Sequence, residues 1–482
     1  MNASDASAYP TVRQYIAGQW RAGGQGVAAE VRNPATGQVL AEVPRASTQD
    51  LDDALAAAAS AFDVWRLKSP QERAAVLMRT AVLVRERVED MARLMTLEQG
   101  KTLAESRMEF MLSAETFEWY AQEALRSYGR VIPPRVRGTR QLVVPQPLGP
   151  VAAFTPWNFP AILPARKIAP ALAAGCTMVL KPSEETPMSS LVLAQALADA
   201  GLPAGVLNVV FGVPSEVSTH LISSPLIRKV TFTGSTGVGR ELARLASIGP
   251  KPCTLELGGH APVLIFDDAD LERTVATCVQ GKSRNAGQVC TSPTRFMVQE
   301  GIHDAFVSRY GQALDALKVG PGLDASHQMG ALANVRRVDA IEALVADAVA
   351  GGGRVVAGGQ RMGGQGYFFR PTLVVDTPET AQALKIEPFG PLALVRRFSS
   401  LDQGLAMAND TPYGLAAYAF TQSAATAVTV SDELQAGGIG INTFAVSAIE
   451  APFGGLKDSG YGQEGGPEGL HSYLHMKYVH HA

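Results

Sequence analysis

Three stretches near the start of the chain carry apolar residues at helical spacing. Within residues 50–65 the apolar positions recur three or four residues apart, which places them on one face of a helix. The same spacing continues over residues 71–97 and again over about 103–125. The sequence therefore predicts three amphipathic helices, which we interpret as scaffold.

Short apolar runs then alternate with helical patterns between residues 149 and 266. The predicted strands are 151–155, 177–181, 206–210, 229–233 and 261–266. The predicted helices are 162–174, 189–200, 215–222 and 237–246. This alternation is typical of a parallel sheet covered by helices, with ligands expected beyond the carboxyl ends of the strands.

A second α/β region follows the first. Its predicted elements are helices 271–282 and 302–317 and strands near 295–299, 392–397, 416–420 and 438–442. The glycine-rich stretch 351–366 indicates loops around residues 354–357. A chain of 482 residues exceeds one ordinary core, so we expect two or three domains.

Two strand-like stretches lie far apart in the sequence, at residues 128–147 and 473–479. Exposed strand edges tend to pair with other chains unless they are covered. Pairing across a subunit interface is one way to cover them. We therefore expect a homo-oligomer, either a dimer or a tetramer.

Composition adds exclusions. Lys and Arg total 42 against 45 Asp and Glu, a formal charge of -3, which gives no electrostatic reason to expect nucleic acid or a membrane surface as a partner. The first 20 residues have no apolar core of a signal peptide, and no uncharged apolar run reaches membrane-spanning length. A cytoplasmic location is expected.

Cysteine and histidine positions predict neither a disulfide framework nor a metal site. The four cysteines are widely spaced and form no CxxC pair. They are Cys176, Cys253, Cys278 and Cys290. The histidines near the end of the chain are interpreted as a surface tail, because no acidic cluster joins them. They are His471, His475, His480 and His481.

Three segments are candidates for chemistry, each with a structural alternative. Residues 231–239 form a glycine-rich turn between a strand and a helix, which suits a pyrophosphate, but they read GxxGxG rather than GxGxxG. Lys181 and Glu184 at a strand end suit ribose hydroxyls or a solvated turn. Cys290 lies in a loop of small residues and is either a buried thiol or a nucleophile, which would need a lowered pKa, an oxyanion donor and a base.

Seven short motifs carry a resemblance to a known family. They are PWNFP at 156–160, KPSE at 181–184, FTGS at 232–235, ELGG at 256–259, GQVC at 287–290, EPFGP at 387–391 and PFGG at 452–455. In order and approximate spacing they resemble the aldehyde dehydrogenase superfamily, over nearly the whole chain.

The resemblance implies an α/β fold with three parts. A Rossmann-like NAD(P)-binding domain would comprise residues 1–126 and 148–257. A second α/β domain, the catalytic domain, would comprise residues 258–455. A small β oligomerisation element would comprise residues 127–147 and 456–482.

The resemblance also implies a mechanism. Cys290 would attack the aldehyde carbon, and the Asn158 amide with the Cys290 backbone N–H would hold the oxyanion. Hydride transfer would leave a thioester, which Glu256 would hydrolyse by activating water.

Cofactor contacts follow from the same motifs. Lys181 and Glu184 resemble the adenosine-ribose ligands, Ser235 the pyrophosphate ligand and Glu387 the nicotinamide-ribose ligand. The rest of the implied cofactor site is Pro156, Trp157, Ser183, Gly234, Leu257 and Phe389. A carboxylate at Glu184 would repel a 2′-phosphate, which favours NAD over NADP.

The substrate prediction depends on Arg166, Arg284 and Ser447. Their positions are similar to the carboxylate-binding residues of the succinate-semialdehyde dehydrogenase branch, and a guanidinium fork suits a carboxylate. The alternative for each arginine is a salt bridge to a neighbouring acid. We expect a small anionic aldehyde, with oxidation of succinate semialdehyde to succinate favoured.

Departures from that branch leave alternatives open. Ser292 stands where the branch often has a second cysteine, so no disulfide switch is expected, and residues 443–446 also differ. Sulfoacetaldehyde, glutarate semialdehyde and an aromatic succinoyl semialdehyde remain candidate substrates. A CoA-acylating enzyme is disfavoured because Glu256 and Glu387 are both present, and a thiol hydrolase would need a histidine partner such as His260, which is more simply a turn residue.

Overall fold

The structure is a computed structural model that describes residues 9–24 and 26–482. Within these ranges the helices are α1 (Thr48–Trp65), α2 (Pro70–Glu86), α3 (Val88–Gln99), α4 (Leu103–Ala124), α5 (Ile162–Ala174), α6 (Pro187–Asp199), α7 (Pro214–Ser223), α8 (Thr236–Ile248), α9 (Leu271–Ser283), α10 (Glu300–Asp315), α11 (Val335–Ala350), α12 (Leu401–Asn409), α13 (Ala424–Glu433) and α14 (Gly466–His471). Two 3-10 turns lie at Arg284–Gly287 and Gln382–Leu384.

The strands in the same ranges are β1 (Gln14–Ile16), β2 (Gln19–Arg21), β3 (Val27–Arg32), β4 (Val39–Pro44), β5 (Arg130–Ile132), β6 (Arg140–Pro147), β7 (Val151–Phe154), β8 (Met178–Lys181), β9 (Leu207–Val209), β10 (Lys229–Thr233), β11 (Cys253–Glu256), β12 (Ala261–Ile265), β13 (Pro293–Gln299), β14 (Arg354–Ala357), β15 (Thr372–Val375), β16 (Leu392–Phe398), β17 (Tyr413–Gly414), β18 (Ala416–Phe420), β19 (Gly438–Ile441), β20 (Leu456–Lys457), β21 (Gly460–Tyr461) and β22 (Leu474–His481).

Capping residues fix where the N-terminal helices begin. Ser47, Ser69 and Thr102 each accept a hydrogen bond from the backbone N–H three residues later, and the acidic residue at that position accepts one in return. These capping boxes satisfy N–H groups that have no partner inside the helix. The predicted helices 50–65 and 103–125 are confirmed as α1 and α4.

The prediction of one helix over residues 71–97 is wrong. The backbone at Arg87 has φ -109° and ψ 10°, outside the helical range, and divides the stretch into α2 and α3. The apolar spacing continues through the break because both helices pack on the same core. A periodicity pattern alone does not detect such a break.

The first sheet has the strand order β2-β1-β9-β8-β7-β10-β11-β21, and its inner strands β9, β8, β7, β10 and β11 are parallel. Four of the predicted strands are confirmed in it as β7, β8, β9 and β10. Helices cover both faces: α2 to α6 contribute to the apolar cluster on one side and α1, α7 and α8 to that on the other. Strands buried on both faces explain the continuous apolar runs in the sequence.

The second sheet has the order β14-β15-β16-β13-β12-β18-β19, parallel except at β14. The strand predicted at 261–266 is confirmed as β12, which belongs to this sheet and not to the first. The two sheets are thus joined by the four residues between β11 and β12. That link carries Gly258 and Gly259, between the two halves of the candidate site.

A third sheet contains the two strand-like stretches noted in the sequence. Its order is β22-β6-β5, with β22 antiparallel to β6 from Leu474 opposite Pro147 to His481 opposite Arg140. The two stretches therefore pair with each other within one chain, and the sheet has its free edges at β22 and β5.

No helix in residues 9–24 and 26–482 combines the length and apolar character needed to cross a membrane. The cytoplasmic location and the division of the chain into domains stay predictions.

Candidate active site

The carboxyl ends of four parallel strands deliver the sequence-predicted residues to one edge of the first sheet. Lys181 ends β8 and Glu256 ends β11, while the PWNFP segment follows β7 and Gly234 follows β10. The register places Phe154 opposite Lys181 and Thr233 opposite Glu256. Because parallel strands point the same way, these segments meet at a common edge, as expected for a ligand site.

Cys290 lies on a tight loop between α9 and β13. The loop passes through left-handed backbone at Asn285 (φ 45°), Ala286 (φ 52°) and Gly287 (φ 73°). A Cβ on Gly287 would overlap the carbonyl oxygen of Gly390, and a Cβ on Gly259 would overlap that of Cys290. Glycine is required at these close approaches, and they fix the cysteine loop against both neighbouring segments.

The Cys290 thiol is held between opposing charges. Its pKa is raised to about 12, chiefly by burial and also by the carboxylates of Glu387 and Glu256, whereas the guanidinium groups of Arg166 and Arg284 act to lower it. Three of these charged residues, Arg166, Glu256 and Glu387, come from segments distant in sequence from Cys290, and Arg284 lies six residues before it. The structure therefore gathers the predicted nucleophile, base and substrate-binding residues around one sulfur.

Asn158 is buried beside the cysteine loop. Its side-chain Nδ2 donates to the carbonyl of Gln288 at 3.1 Å, two residues before Cys290. Its own backbone carbonyl accepts from Lys101 Nζ at 2.8 Å and from Asn285 Nδ2 at 2.9 Å. One hydrogen of the Asn158 side-chain amide is left for a ligand, as an oxyanion donor requires.

Glu256 is 2% exposed, and neither carboxylate oxygen has a hydrogen-bond partner among the described residues. Burial raises its pKa well above the usual value, with a further rise from Glu464 and opposition from Lys167 and Arg166. A buried carboxylate without hydrogen bonds is energetically unfavourable. Such groups are found mainly at functional sites. The two unpartnered oxygens are therefore available for the general-base role that the sequence predicts.

Two residues behind Glu256 were not singled out by the sequence. Lys167 Nζ forms a buried ion pair with Glu464 and donates to Thr231 Oγ1 at 3.1 Å. A signal existed for Lys167, since a lysine inside the apolar helix α5 needs a buried partner. Glu464 lies 297 positions away in a glycine-rich turn, where no pattern marks it.

The three substrate-binding candidates lie on the exposed side of the site. Arg166 Nη2 donates to Ser447 Oγ at 2.6 Å, and its guanidinium carbon lies 5.2 Å from the ring centroid of Phe453. The guanidinium carbon of Arg284 lies 5.1 Å from the ring centroid of Phe159. In the part of the chain that the structure describes, neither arginine forms an ion pair with a carboxylate.

The adenosine end of the predicted cofactor site is formed by charged and helix-terminal groups. Lys181 Nζ pairs with Glu184 Oε1 at 2.5 Å, and Ser183 Oγ accepts from the Glu185 N–H at 3.2 Å. Ser235 is the N-cap residue of α8, and its side chain makes no capping hydrogen bond. Free N–H groups and a free hydroxyl at a helix N-terminus suit an anionic pyrophosphate.

The remaining predicted cofactor residues lie at the same edge of the first sheet. Leu257 fills the space that a Cβ on Gly239 would need, so α8 packs closely on the sheet edge. The Gly234 N–H donates to the Glu256 carbonyl at 3.0 Å, which fixes the turn between β10 and α8. A strand–glycine turn–helix is thus confirmed for residues 231–239.

On the EPFGP segment, Glu387 accepts from the Gly259 N–H at 3.1 Å, and burial raises its pKa to about 7. Phe389 has φ 45° and packs edge-to-face on Trp157, with ring centroids 5.5 Å apart. This contact joins the EPFGP segment to the PWNFP segment, which also contains Pro156. Backbone N–H donors, a hydroxyl and two carboxylates are thus found among the residues predicted to bind a dinucleotide.

His260 is not available to Cys290. It is buried, with Nδ1 2.7 Å from Thr294 Oγ1 and Nε2 3.1 Å from the Ala383 carbonyl. Burial lowers its pKa well below the usual value. With both ring nitrogens engaged, it cannot serve as the base of a thiol hydrolase.

Comparison with known proteins agrees with this geometry. Residues 20–479 match the Aldehyde dehydrogenase family. The chain belongs to this family. It is 51% identical over 466 residues to a putative 4-(hydroxymethyl)benzenesulfonate dehydrogenase of Comamonas testosteroni, covering 97% of each chain. It is 45% identical over 464 residues to an NADP-dependent succinate-semialdehyde dehydrogenase of Escherichia coli, covering 96% of each chain.

Among solved structures, the chain is similar to the crystal structure of succinate-semialdehyde dehydrogenase from Burkholderia pseudomallei, with a TM-score of 0.95, 43% identity and 98% of each chain covered. The predicted aldehyde dehydrogenase fold is therefore confirmed. The protein is an NAD(P)-dependent aldehyde dehydrogenase, an enzyme that oxidises an aldehyde to a carboxylic acid.

Proposed function

We propose that the substrate is a short aldehyde with an anionic far end, with succinate semialdehyde foremost. The observation that carries the proposal is the pair Arg166 and Arg284, which influence the Cys290 thiol and have no carboxylate partner among the described residues. Guanidinium groups without a carboxylate partner, placed around a reactive sulfur, suit a substrate that brings its own carboxylate.

A second candidate is an aromatic aldehyde that carries a sulfonate. It is favoured by the phenylalanine ring next to each guanidinium, Phe453 beside Arg166 and Phe159 beside Arg284. Flat apolar walls that end in cations suit an arene with an anionic substituent. The relatives named above act, by their names, on a benzenesulfonate and on a carboxylate, and both are anionic.

In the proposed mechanism the Cys290 thiol loses its proton to solvent water, and the thiolate adds to the aldehyde carbon. The second Asn158 amide hydrogen and the Cys290 backbone N–H hold the oxyanion, and one such donor is worth about 3 kcal/mol in the transition state. A bound nicotinamide would supply the acceptor for the hydride. Collapse of the oxyanion leaves a thioester on Cys290, and Glu256 takes a proton from the water that hydrolyses it to the acid.

The change Glu256→Gln is expected to leave the rate of the first turnover unchanged and to slow the following turnovers, because only thioester hydrolysis then lacks its base. Stopped-flow absorbance should show one equivalent of reduced cofactor followed by a steady-state rate lowered about 10²–10⁴-fold. In the wild type the deacylation rate should rise with pH, because burial raises the Glu256 pKa and only the ionised carboxylate acts as a base.

Added coenzyme A is the control for the acyl acceptor, and it should leave the wild-type rate unchanged. Two results would contradict the role of water as acyl acceptor. One is a steady-state rate of Glu256→Gln equal to that of the wild type, and the other is an absolute need of the wild type for coenzyme A.

Loss of either arginine should lower the selectivity for anionic aldehydes. We expect Arg166→Ala and Arg284→Ala each to lower kcat/KM for succinate semialdehyde about 10–100-fold, as for the loss of a charge-assisted contact of 1.5–3 kcal/mol. The kcat/KM for butanal, which lacks the carboxylate, should change less than about 3-fold. The panel also includes glutarate semialdehyde, sulfoacetaldehyde and 4-formylbenzenesulfonate, to rank chain length and anion type.

Arg336→Ala is the matched control, because this exposed arginine pairs with Glu185 and lies on α11 rather than beside the thiol. If both active-site variants keep the wild-type preference for anionic aldehydes, recognition of charge by Arg166 and Arg284 is disproved.

We also propose that NAD is preferred over NADP. Glu184, held by Lys181 at 2.5 Å, would place a carboxylate next to the adenosine ribose, where a 2′-phosphate would meet a like charge. The Escherichia coli relative is named as NADP-dependent, so the preference is a property to be measured on this chain.

The change Glu184→Ala should raise the ratio of kcat/KM with NADP to that with NAD about 10-fold or more, because it removes the like charge. Glu185→Ala is the adjacent control, since Glu185 binds Asn334 at 2.6 Å and Arg336 at 2.5 Å instead. An unchanged ratio in Glu184→Ala, or a wild type that prefers NADP, would rule out this discrimination.

Finally, we propose that the third sheet joins subunits of a homodimer or homotetramer. Its strands expose apolar side chains at Val131, Val144, Met476 and Tyr478, and β22 has a free edge. Exposed apolar strands with a free edge are normally covered by another chain.

Sedimentation velocity should give the mass of a dimer or tetramer for the wild type and a smaller mass for Met476→Lys/Tyr478→Lys. Val428→Lys, at an exposed valine of α13, is the control and should keep the wild-type mass. A monomeric wild type at micromolar concentration would refute the proposal.

A further inference from the structure

A buried ion pair lies behind the oxyanion donor, on segments to which the mechanism assigns no role. Lys101 Nζ and Glu109 Oε2 are 2.5 Å apart, and their side chains are only 1% and 3% exposed. Lys101 precedes α4 and Glu109 lies in its second turn. Both residues are far in sequence from Asn158 and Cys290.

Each member of the pair also binds the backbone of the PWNFP segment and the start of α5. Lys101 Nζ donates to the Asn158 carbonyl at 2.8 Å and lies 4.2 Å from the ring centroid of Phe159. Glu109 Oε1 accepts from the N–H groups of Ala161 and Ile162, at 2.8 and 3.2 Å. The ion pair thus holds the backbone on both sides of Phe159.

The same helix end also holds the cysteine loop. Glu105 Oε1 accepts from the Asn285 N–H at 2.6 Å, while its Oε2 completes the capping box with Thr102. Asn285 in turn donates from Nδ2 to the Asn158 carbonyl at 2.9 Å. The start of α4 is therefore bonded to the segments of both the oxyanion donor and the nucleophile.

Stability alone is a poor explanation for this arrangement. Removing a lysine and a glutamate from water offsets most of their attraction, so a buried ion pair contributes little net stability. The pair instead fixes the positions of three backbone groups, and few uncharged side chains could bind all three at once. A reacting carbonyl needs its oxyanion donor placed within a few tenths of an ångström.

We propose that Lys101 and Glu109 are positioning residues for the oxyanion donor: they hold the Asn158 backbone so that its side-chain amide faces the Cys290 sulfur. The pair touches neither substrate nor cofactor and acts through Asn158. This role rests on the oxyanion role proposed for Asn158. It adds that the Asn158 amide needs the buried ion pair to be correctly placed.

The test compares Lys101→Met, Glu109→Gln and the double variant Lys101→Met/Glu109→Gln with the wild type. The double variant removes both charges, so no unpaired charge remains in the core to unfold the chain. The kcat for aldehyde oxidation should fall about 10–100-fold in Lys101→Met and in the double variant. This is at most the loss expected when an oxyanion donor is removed. The dissociation constant of NAD, measured by quenching of tryptophan fluorescence, should stay within about 2-fold.

A double-mutant cycle separates positioning from general damage. In an Asn158→Ala background the Lys101 and Glu109 variants should lower kcat by less than about 3-fold further, since the group that they position is gone. Arg73→Met is the matched control: Arg73 is a buried cation whose Nε donates to the Ala173 carbonyl at 3.0 Å, at the other end of α5. It should lower the melting temperature without the loss of kcat.

Two results would overturn the inference. One is a folded double variant whose kcat lies within about 2-fold of the wild type, and the other is a loss of kcat that multiplies fully with that of Asn158→Ala. A wild-type kcat in Asn158→Ala itself would instead refute the oxyanion role under the proposed function. Full loss in Asn158→Ala together with a wild-type kcat in the double variant refutes only the positioning role.

Discussion

The parallel register of β8, β7, β10 and β11 is the constraint on which the site depends. It places the end of each strand beside the end of its neighbour, with Phe154 opposite Lys181 and Thr233 opposite Glu256. A slip by one residue would turn every side chain to the opposite face of the sheet. Residues that are distant in sequence therefore reach one edge because the backbone hydrogen bonds allow a single alignment.

Burial at that edge gives the site its electrostatic character. The pKa values of Cys290, Glu256 and Glu387 are all raised by burial, so the neutral form of each is favoured before any ligand arrives. Arg166 and Arg284 act in the opposite direction on the thiol. The pKa of the Cys290 thiol is thus a balance that small changes of nearby charge can shift.

Much of this organisation was predictable because it has local causes. Strand β18 follows from its apolar run, α1 from its spacing and its cap, and the turn before α8 from its glycines. The motifs also indicated the residues at the sheet edge. Pairing between distant segments was not predictable: the Lys167–Glu464 pair spans 297 positions, and no local pattern records which buried lysine meets which glutamate.

Other errors have the same origin. The break at Arg87 lies within a continuous apolar pattern, so only the packed helices reveal it. The assignment of β12 to the second sheet depends on which neighbour it bonds, and the sequence of a strand does not encode its partner. The two distant strand-like stretches were recognised as strands, but their pairing with each other required the fold.

Because of the close approaches at Gly259 and Gly287, one part of the site tolerates substitution less than the other. Backbone carbonyls occupy the space of any side chain at these two positions, so the geometry of the cysteine loop cannot drift by substitution there. Ala445 and Ser447, on the wall that carries the Arg166 contact, meet no such barrier, since both residues are exposed. New substrate preferences can therefore evolve on that wall while the Cys290 sulfur stays where it is.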